Sequence, residues 1–221
     1  MLEKVSISAP ARLHFGLFSV GDVVERKFGG IGLMLDRPRT NIIARLLPST
    51  ERLAIPGPSS EDAFRWIEEW FQNQRDDLKS ELSIESAAEL PIELLIRSAP
   101  PRHSGFGSGT QLALSLAAAT SKLLGRPAQS PEELAATLSR GKRSAIGTYG
   151  FCEGGFLVDR GKLENETLSP LDVRADFPEP WPVVLVRLKA AEGFSGNQEL
   201  DAFKKLPPSD CLLYTSDAAD E

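Results

Sequence analysis

The sequence predicts a fold of mixed strands and helices, which follow one another along most of the chain. Near the amino terminus, apolar and polar residues alternate with period two, as in a half-buried strand. Further on, apolar residues at 112, 116, 119, 120 and 123 have the spacing of a helix stripe that packs on a core. With 221 residues, 41% of them hydrophobic, the chain is long enough for one substantial core or two small ones.

The first half of the chain contains three predicted elements and two turns. Odd positions between 5 and 17 are apolar and predict strand structure, with Arg12 and His14 sharing one face. A solvated strand face is the other interpretation of that pair. The glycines of 28–32 (FGGIG) predict a turn before a short apolar stretch, and residues 41–47 predict another strand. A turn at 56–60 begins a long helix with one apolar face, formed by Phe64, Ile67, Phe71 and Leu78.

The second half starts with a predicted strand at 92–97 that leads into a glycine-rich loop and a helix over 110–124. Residues 130–133 (SPEE) form a capping box with proline at the first helical position, which predicts the start of the next helix. Strands are predicted at 155–158 and 183–188. The proline-rich stretch 177–182 between them is the predicted domain boundary.

The loop at 100–111 (PPRHSGFGSGTQ) indicates phosphate chemistry. Gly105, Gly107 and Gly109 lack the Cβ atoms that would keep a backbone away from an anion. The helix that follows points unpaired N–H groups and the positive end of its dipole at the loop. A tight turn is the other interpretation of such glycines, but His103 at the mouth of the loop favours a site. The spacing fits neither the Walker pattern nor the dinucleotide fingerprint.

The same loop carries a family resemblance. Pro101-x-x-x-Gly-Phe-Gly-Ser resembles the signature of the GHMP superfamily of small-molecule kinases. Four blocks in order resemble a non-kinase branch, the β-ribofuranosylaminobenzene 5′-phosphate synthases (β-RFAP synthases) of methanopterin biosynthesis. These blocks are 9–17 (APARLHFGL), 28–32 (FGGIG), 107–113 (GSGTQLA) and 140–156, which includes RGKRSAIGT and FCEGGF.

The resemblance implies a GHMP-kinase-like α+β fold in two domains. Residues 1–180 would form an amino-terminal domain that binds substrate and phosphate and resembles domain 2 of ribosomal protein S5. Residues 181–210 would begin a truncated ferredoxin-like carboxyl-terminal domain. Residues 211–221 (CLLYTSDAADE) lack periodicity and resemble translated sequencing adapter, so we expect a non-native tail.

The resemblance also implies an activity. Enzymes of this branch condense 5-phosphoribosyl 1-diphosphate with 4-aminobenzoate, or with 4-hydroxybenzoate, and release CO₂ and pyrophosphate. The expected diphosphate-binding residues are Gly105, Gly107, Ser108, Gly109 and Thr110. Cations for the 5-phosphate and the carboxylate would come from Arg12, Lys142 and Arg143, and His103 and His14 are the candidate catalytic residues. A divalent cation, Mg²⁺, is expected, with no organic cofactor.

Two other functions stay open. An ATP-dependent GHMP kinase is the first. Many such kinases use an aspartate as the catalytic base, but residues 143–151 contain no carboxylate, and base catalysis typically raises the rate about 10²–10⁴-fold. The second is a fragment that binds phosphate or nucleotide without catalysis.

Composition limits the partners. A formal charge of −6 and a pI near 5.2 argue against nucleic acid, and no apolar run suggests a membrane span or signal peptide. Cys152 and Cys211 have no metal or disulfide spacing, which favours a reducing, cytoplasmic setting. The expected ligands are a phosphorylated sugar and an aromatic acid. A homodimer is left open.

Overall fold

The computed structural model describes residues 2–17 and 25–186 of the chain. In order, its elements are β1 (Lys4–Leu17), β2 (Gly30–Leu46), α1 (Ser60–Gln72), α2 (Arg75–Leu82), β3 (Ile92–Ser98), α3 (Ser108–Leu123), α4 (Pro131–Thr137), α5 (Ile146–Glu153), β4 (Phe156–Asp159) and β5 (Leu171–Ala175), with a short 3₁₀ turn at Ala87–Glu89. In this part of the chain no helix is both long and apolar enough to cross a membrane. Helices and an antiparallel sheet together confirm the predicted α+β class.

The long strand β2 organises the sheet. β1 pairs with it from end to end, from Lys4 opposite Arg45 to Leu17 opposite Gly30. On its other side, β4 pairs with its first four residues and β3 with its last six, and β5 extends the sheet beyond β4. The sequence predicts the stretch after the glycines and the strand at 41–47 as separate pieces, but the structure joins them into one strand.

One face of the sheet is covered by helices. The main core joins apolar residues of β1, β2 and β3 to α1, α3 and α4, and its largest fully buried side chains include Trp70, Phe71, Ile42 and Leu114. A second cluster places α5 on the first half of β2 and on β4 through Met34, Ile146, Tyr149 and Leu157. Burial of these side chains, at about 25 cal/mol per Å², holds the starts of α3 and α5 against β1 and β2.

A register shift in β1 decides which face carries its polar residues. Between Pro10 and Ala11 the pairing with β2 jumps from Arg39 to Leu35, so the alternation of β1 is reset. Val5 packs in the helix-covered core, and beyond the shift Arg12 also points toward the helices. Leu13 instead packs with Leu33, Leu35 and Phe106 in a third cluster. Arg12 and His14 do share a face, but it is the helix-covered face and not a solvated one.

Two further element predictions need correction, and one strand was not predicted. The predicted long helix is two helices, because α1 ends at Asn73. The backbone N–H and the side-chain amide of Asn73 both donate hydrogen bonds to the Glu69 carbonyl, and the side-chain amide also donates to the Thr137 carbonyl. The strand predicted at 183–188 is not formed at 183–186, where no described strand lies beside it to pair, and residues 187 and 188 lie outside the described part. β5 was not predicted, because most of its residues are exposed and leave no apolar pattern.

The domain limits remain predictions. Phe177, the first residue of the predicted boundary stretch, packs against the third cluster, and the ring of Trp181 meets the Phe177 ring edge-on at 6.0 Å between centroids. The chain therefore stays packed against the sheet up to Phe177. The predicted tail at 211–221 and most of 181–210 lie outside the described residues.

Candidate active site

The glycine loop is tied to the edge of the sheet beside Arg12. The backbone N–H of Arg12 donates to the carbonyl of Phe106 at 2.9 Å. The next residue, Gly107, is the N-cap of α3 and has a left-handed backbone with φ of 65°, a conformation that glycine adopts at little cost. A Cβ at this position would lie 3.1 Å from Arg12 Nε. Gly107 therefore permits the turn and the close approach of the Arg12 guanidinium. The need for glycine here is not explained by a phosphate oxygen alone.

Open space lies in front of the other two loop glycines. A Cβ added to Gly105 or to Gly109 would meet no other atom within 4 Å. Gly109 belongs to the first turn of α3, where the N–H groups have no partner within the helix. The loop thus presents donors, a helix dipole and free volume on one side, which is what an anion requires.

The start of α5 lies against the same region. The position that a Cβ would take at Gly147 is 3.3 Å from Thr110 Cγ2 and 3.8 Å from Arg12 Nη1. The buried amide of Gln111 donates to the Gly147 carbonyl at 2.7 Å. Arg12 is therefore enclosed between the first turns of α3 and α5, and both helix dipoles add to its positive charge.

His14 lies further along the same face of β1 and is held neutral. The backbone N–H of Gly16 donates to its Nδ1 at 3.3 Å, which leaves the ring proton on Nε2. Burial, together with the charges of Arg12 and Arg143, lowers the pKa of His14 to about 4. At neutral pH this imidazole is a hydrogen-bond donor through Nε2, and Nδ1 is not available as a base.

A buried carboxylate that no sequence pattern singles out orders the start of α5. Asp159 is fully buried. Its Oδ2 accepts from Ser144 Oγ at 2.8 Å and from the N–H of Ala145 at 3.0 Å. Its Oδ1 accepts from Ser169 Oγ at 2.7 Å and from the N–H of Gly161 at 3.2 Å. These bonds fix the turn that carries Ser144 beside the histidine.

The glycines of 28–32 are close-approach residues and not only a turn. Gly30 and Gly32 lie within β2. A Cβ at Gly32 would come within 2.4 Å of Ile146 Cγ2, and one at Gly30 within 3 Å of both His14 and Ser144. Side chains here would push α5 away from the sheet, so the block serves the site by letting the helix approach.

The remaining predicted site residues are spread more widely. Arg143 is half-buried and close enough to lower the pKa of His14. Lys142 is exposed, and His103 is exposed on the loop with φ of 53°; neither has a hydrogen bond or ion pair with another described residue. The hydroxyl of Ser108 donates to the Pro101 carbonyl at 3.2 Å. Its contribution to anion binding would then come from its backbone N–H.

A small cavity lies behind the loop, on the side of α1. It holds about 30 Å³, room for roughly one water molecule, and its walls include Ser108, Gly109 and Trp66. Asp62 and Arg102 also line it, and their side chains form an ion pair with 2.6 Å between the charged atoms. Arg102 is thereby directed toward α1 and not toward the open front of the loop.

The described residues include no group of three or more His, Cys, Asp or Glu side chains that could hold a metal ion. The expected Mg²⁺ stays a prediction, because at phosphate sites this ion is usually bound by one or two carboxylates together with the substrate phosphates.

The neutral state of His14 predicts a pH dependence of stability. Its pKa is about 4 in the folded protein and about 6.5 when unfolded, so the unfolded chain binds more protons between these values. The free energy of unfolding should therefore fall by about 2 kcal/mol as the pH drops from 6.5 to 4. His14→Gln should flatten this part of the profile in urea unfolding, and His103→Gln should not. Equal slopes in the wild type and His14→Gln would contradict a neutral buried imidazole.

Comparison with known proteins agrees with the loop and the fold. The family described as GHMP kinases N terminal domain matches residues 75–155, which contain the glycine loop, α3 and the start of α5. This stretch of the chain is similar to the GHMP kinases N terminal domain. The resemblance drawn from the signature loop is thus confirmed.

Solved structures support the same fold. The chain superposes on homoserine kinase from Cytophaga hutchinsonii with a TM-score of 0.52 and 23% identity, over 95% of this chain and 62% of that one. It superposes on a putative sugar kinase from Campylobacter jejuni with a TM-score of 0.52 and 14% identity, over 71% of this chain and 52% of that one. At these identities the likeness concerns the fold alone.

Curated relatives point to the non-kinase branch. The chain is 29% identical over 220 residues to the β-ribofuranosylphenol 5′-phosphate synthase of Methanothermobacter thermautotrophicus. It is 28% identical over 229 residues to the enzyme of the same name from Methanocaldococcus jannaschii. These matches cover 94% and 91% of the chain, which spans about 65% of the length of each relative.

Proposed function

We propose that this chain is the greater part of a synthase that joins 5-phosphoribosyl 1-diphosphate to a 4-substituted benzoate. The observation that carries the proposal is the convergence of two helix N-termini on Arg12, beside open space at Gly105 and Gly109. A diphosphate leaving group needs such fixed positive charge where its own charge develops. The names of the curated relatives support the same reaction class.

The reaction exchanges one bond at the sugar. The ring carbon that bears the carboxylate bonds to C1 of the ribose, while the bond from C1 to the diphosphate oxygen breaks and pyrophosphate leaves. The carboxylate then departs as CO₂, and its bonding electron pair restores the aromatic ring. The loop donors and Arg12 would bind the diphosphate, and Arg143 would bind a second anionic group.

The histidines would act differently from each other. His14, neutral and donating through Nε2, would bind and orient a substrate atom. His103, exposed at the loop, would be the residue free to assist the departing diphosphate. A kinase of this fold would instead transfer phosphate from ATP. No carboxylate is present between 143 and 151 to act as the base.

An assay with labelled carboxylate separates the reactions. Given phosphoribosyl diphosphate, Mg²⁺ and 4-hydroxybenzoate or 4-aminobenzoate labelled in the carboxyl group, the chain should release labelled CO₂ and pyrophosphate without ATP. Arg12→Ala should reduce the rate at least about 100-fold, the loss of one or two charge-assisted bonds. Arg45→Ala, which removes an exposed arginine paired with Glu93, is the matched control.

The other results would point elsewhere. ADP formed from ATP and a small alcohol would indicate a kinase. Binding of both substrates, measured by calorimetry, with no labelled CO₂ would overturn the synthase proposal for this chain and favour a binding fragment.

A further inference from the structure

The glycine loop carries a cation that is turned away from its open front. Arg102 forms an ion pair with Asp62 of α1, with 2.6 Å between Nη1 and Oδ2. The side chain of Arg102 is 54% exposed and that of Asp62 is 12% exposed. Among the described residues Arg102 has no other hydrogen-bond or ion-pair partner. Because ion pairs that are open to solvent are weak, little holds this guanidinium on the helix.

Asp62 does not depend on Arg102 to balance its charge. Its other oxygen, Oδ1, contacts the guanidinium of Arg65, about one turn further along α1. Asp62 also lies in the first turn of α1, where the helix dipole stabilises a carboxylate. Two arginines therefore share one acid, and the departure of Arg102 would leave Asp62 paired.

The shape of the loop does not depend on this ion pair either. The hydroxyls of Ser104 and Ser108 both donate to the Pro101 carbonyl. These bonds tie together the backbone on either side of Arg102. Its side chain can therefore change partners while the loop keeps its form.

A second position for the guanidinium lies close by. Arg102, Ser108 and Gly109 line one cavity of about 30 Å³, which has room for roughly one water molecule. Arg102 thus borders the same small space as the first turn of α3, whose N–H groups have no partner within the helix. The arginine side chain is long and rich in rotamers, so an anion that is bound by this turn lies within its reach.

A diphosphate is the stronger competitor for this cation. It brings more than one negative charge, whereas Asp62 has a single charge that Arg65 already balances. Guanidinium groups bind phosphate oxygens through short, charge-assisted hydrogen bonds, and the dipole of α3 favours the same anion. The guanidinium is therefore stabilised when it moves from the carboxylate to the ligand.

We propose that Arg102 exchanges partners when a diphosphate binds at the start of α3: it leaves Asp62 and binds a diphosphate oxygen, while Asp62 stays with Arg65. This inference rests on the proposed function, because it adds a second arginine, besides Arg12, to the leaving-group site. Asp62 then competes with the ligand for one cation and weakens diphosphate binding. If the ion pair only positioned the loop, Asp62 would instead strengthen binding.

Calorimetry with inorganic pyrophosphate on single and double variants tests the exchange. Arg102→Ala should weaken binding about 10-fold, since it removes a charge-assisted bond that solvent partly screens. Asp62→Asn should strengthen binding about 2- to 5-fold, because an exposed ion pair no longer has to be broken. Added to Arg102→Ala, the change Asp62→Asn should bring no gain.

Two further variants of α1 complete the test. Glu61 precedes Asp62 in the first turn and is exposed, so Glu61→Gln removes the same charge without releasing Arg102. This matched control should change the affinity less than Asp62→Asn does. Arg65→Ala, at an exposed position, would leave Asp62 with Arg102 alone, so binding should weaken about 2- to 5-fold. Urea unfolding checks that each variant is folded under the conditions of the binding measurement.

Two results would overturn the proposal. If Asp62→Asn weakens binding as Arg102→Ala does, the ion pair only positions the loop. If Asp62→Asn strengthens binding equally with and without Arg102, Asp62 acts only through its charge. Pyrophosphate binding does not depend on turnover, so partner exchange without release of labelled CO₂ would retain this inference and overturn the synthase proposal. Release of CO₂ without partner exchange would do the reverse.

Discussion

Gly109→Ala should raise the stability of the protein and at the same time weaken its binding of pyrophosphate about 100-fold. Gly109 lies in the first turn of α3 with a helical backbone, and a Cβ there would meet no protein atom within 4 Å. Alanine in a helix is more stable than glycine by about 0.5–1 kcal/mol. The same methyl group would occupy the space in front of the helix N–H groups. Displacing an anion from two charge-assisted bonds costs about 3 kcal/mol.

Calorimetry with inorganic pyrophosphate and urea unfolding measure the two effects separately. Gly125→Ala, just beyond the carboxyl end of α3, is the control. Its added Cβ also meets open space, but the backbone has a φ of 74°, so this variant should lose stability and bind normally. If Gly109→Ala is more stable and binds pyrophosphate as the wild type does, the loop is only a turn.

Asp159→Ala should lower the free energy of unfolding by about 3–4 kcal/mol, since it removes the acceptor of several buried donors, each costing about 1–3 kcal/mol when unpaired. The donors are the hydroxyls of Ser144 and Ser169 and the backbone N–H groups of Ala145 and Gly161. The hydroxyls can turn to other partners, but the two N–H groups cannot. The start of α5 should loosen, and pyrophosphate binding should weaken with it.

Asp172→Ala is the matched control in the neighbouring strand. Asp172 accepts from Arg160 Nε at 2.6 Å but is partly exposed, and such ion pairs contribute about 0–1 kcal/mol. Urea unfolding should therefore place the two aspartate variants well apart. Equal losses would show that the buried network has no special role.

Much of the fold could be predicted because the signals are local. The capping box at Ser130 and Glu133 forms with both of its hydrogen bonds, since its partners are three residues apart. The strand at β3 and the helix after the loop also follow from short-range periodicity. The long helix was predicted wrongly because its apolar spacing continues through Asn73, while its end depends on a bond to Thr137, 64 residues away.

The candidate site shows the same division. Arg12, His14 and the loop glycines are found from residue type and spacing, and Ser144 lies inside a block already selected. Asp159 carries no signal, because an aspartate at the end of a short strand is usually exposed and only its four bonds make it a buried anchor. Likewise, Gly30 and Gly32 suggest a turn until α5 is seen to approach them.

The sequence by itself determined the mixture of strands and helices, the glycine loop that begins a helix, and the residue types of an anion site. These depend on backbone preferences and on periodicities within a few residues. Only the tertiary structure decided which face Arg12 and His14 occupy, because a register shift between Pro10 and Ala11 resets the alternation of β1. It also decided that His14 is neutral and donates through Nε2, since burial, two nearby arginines and the N–H of Gly16 act on it together.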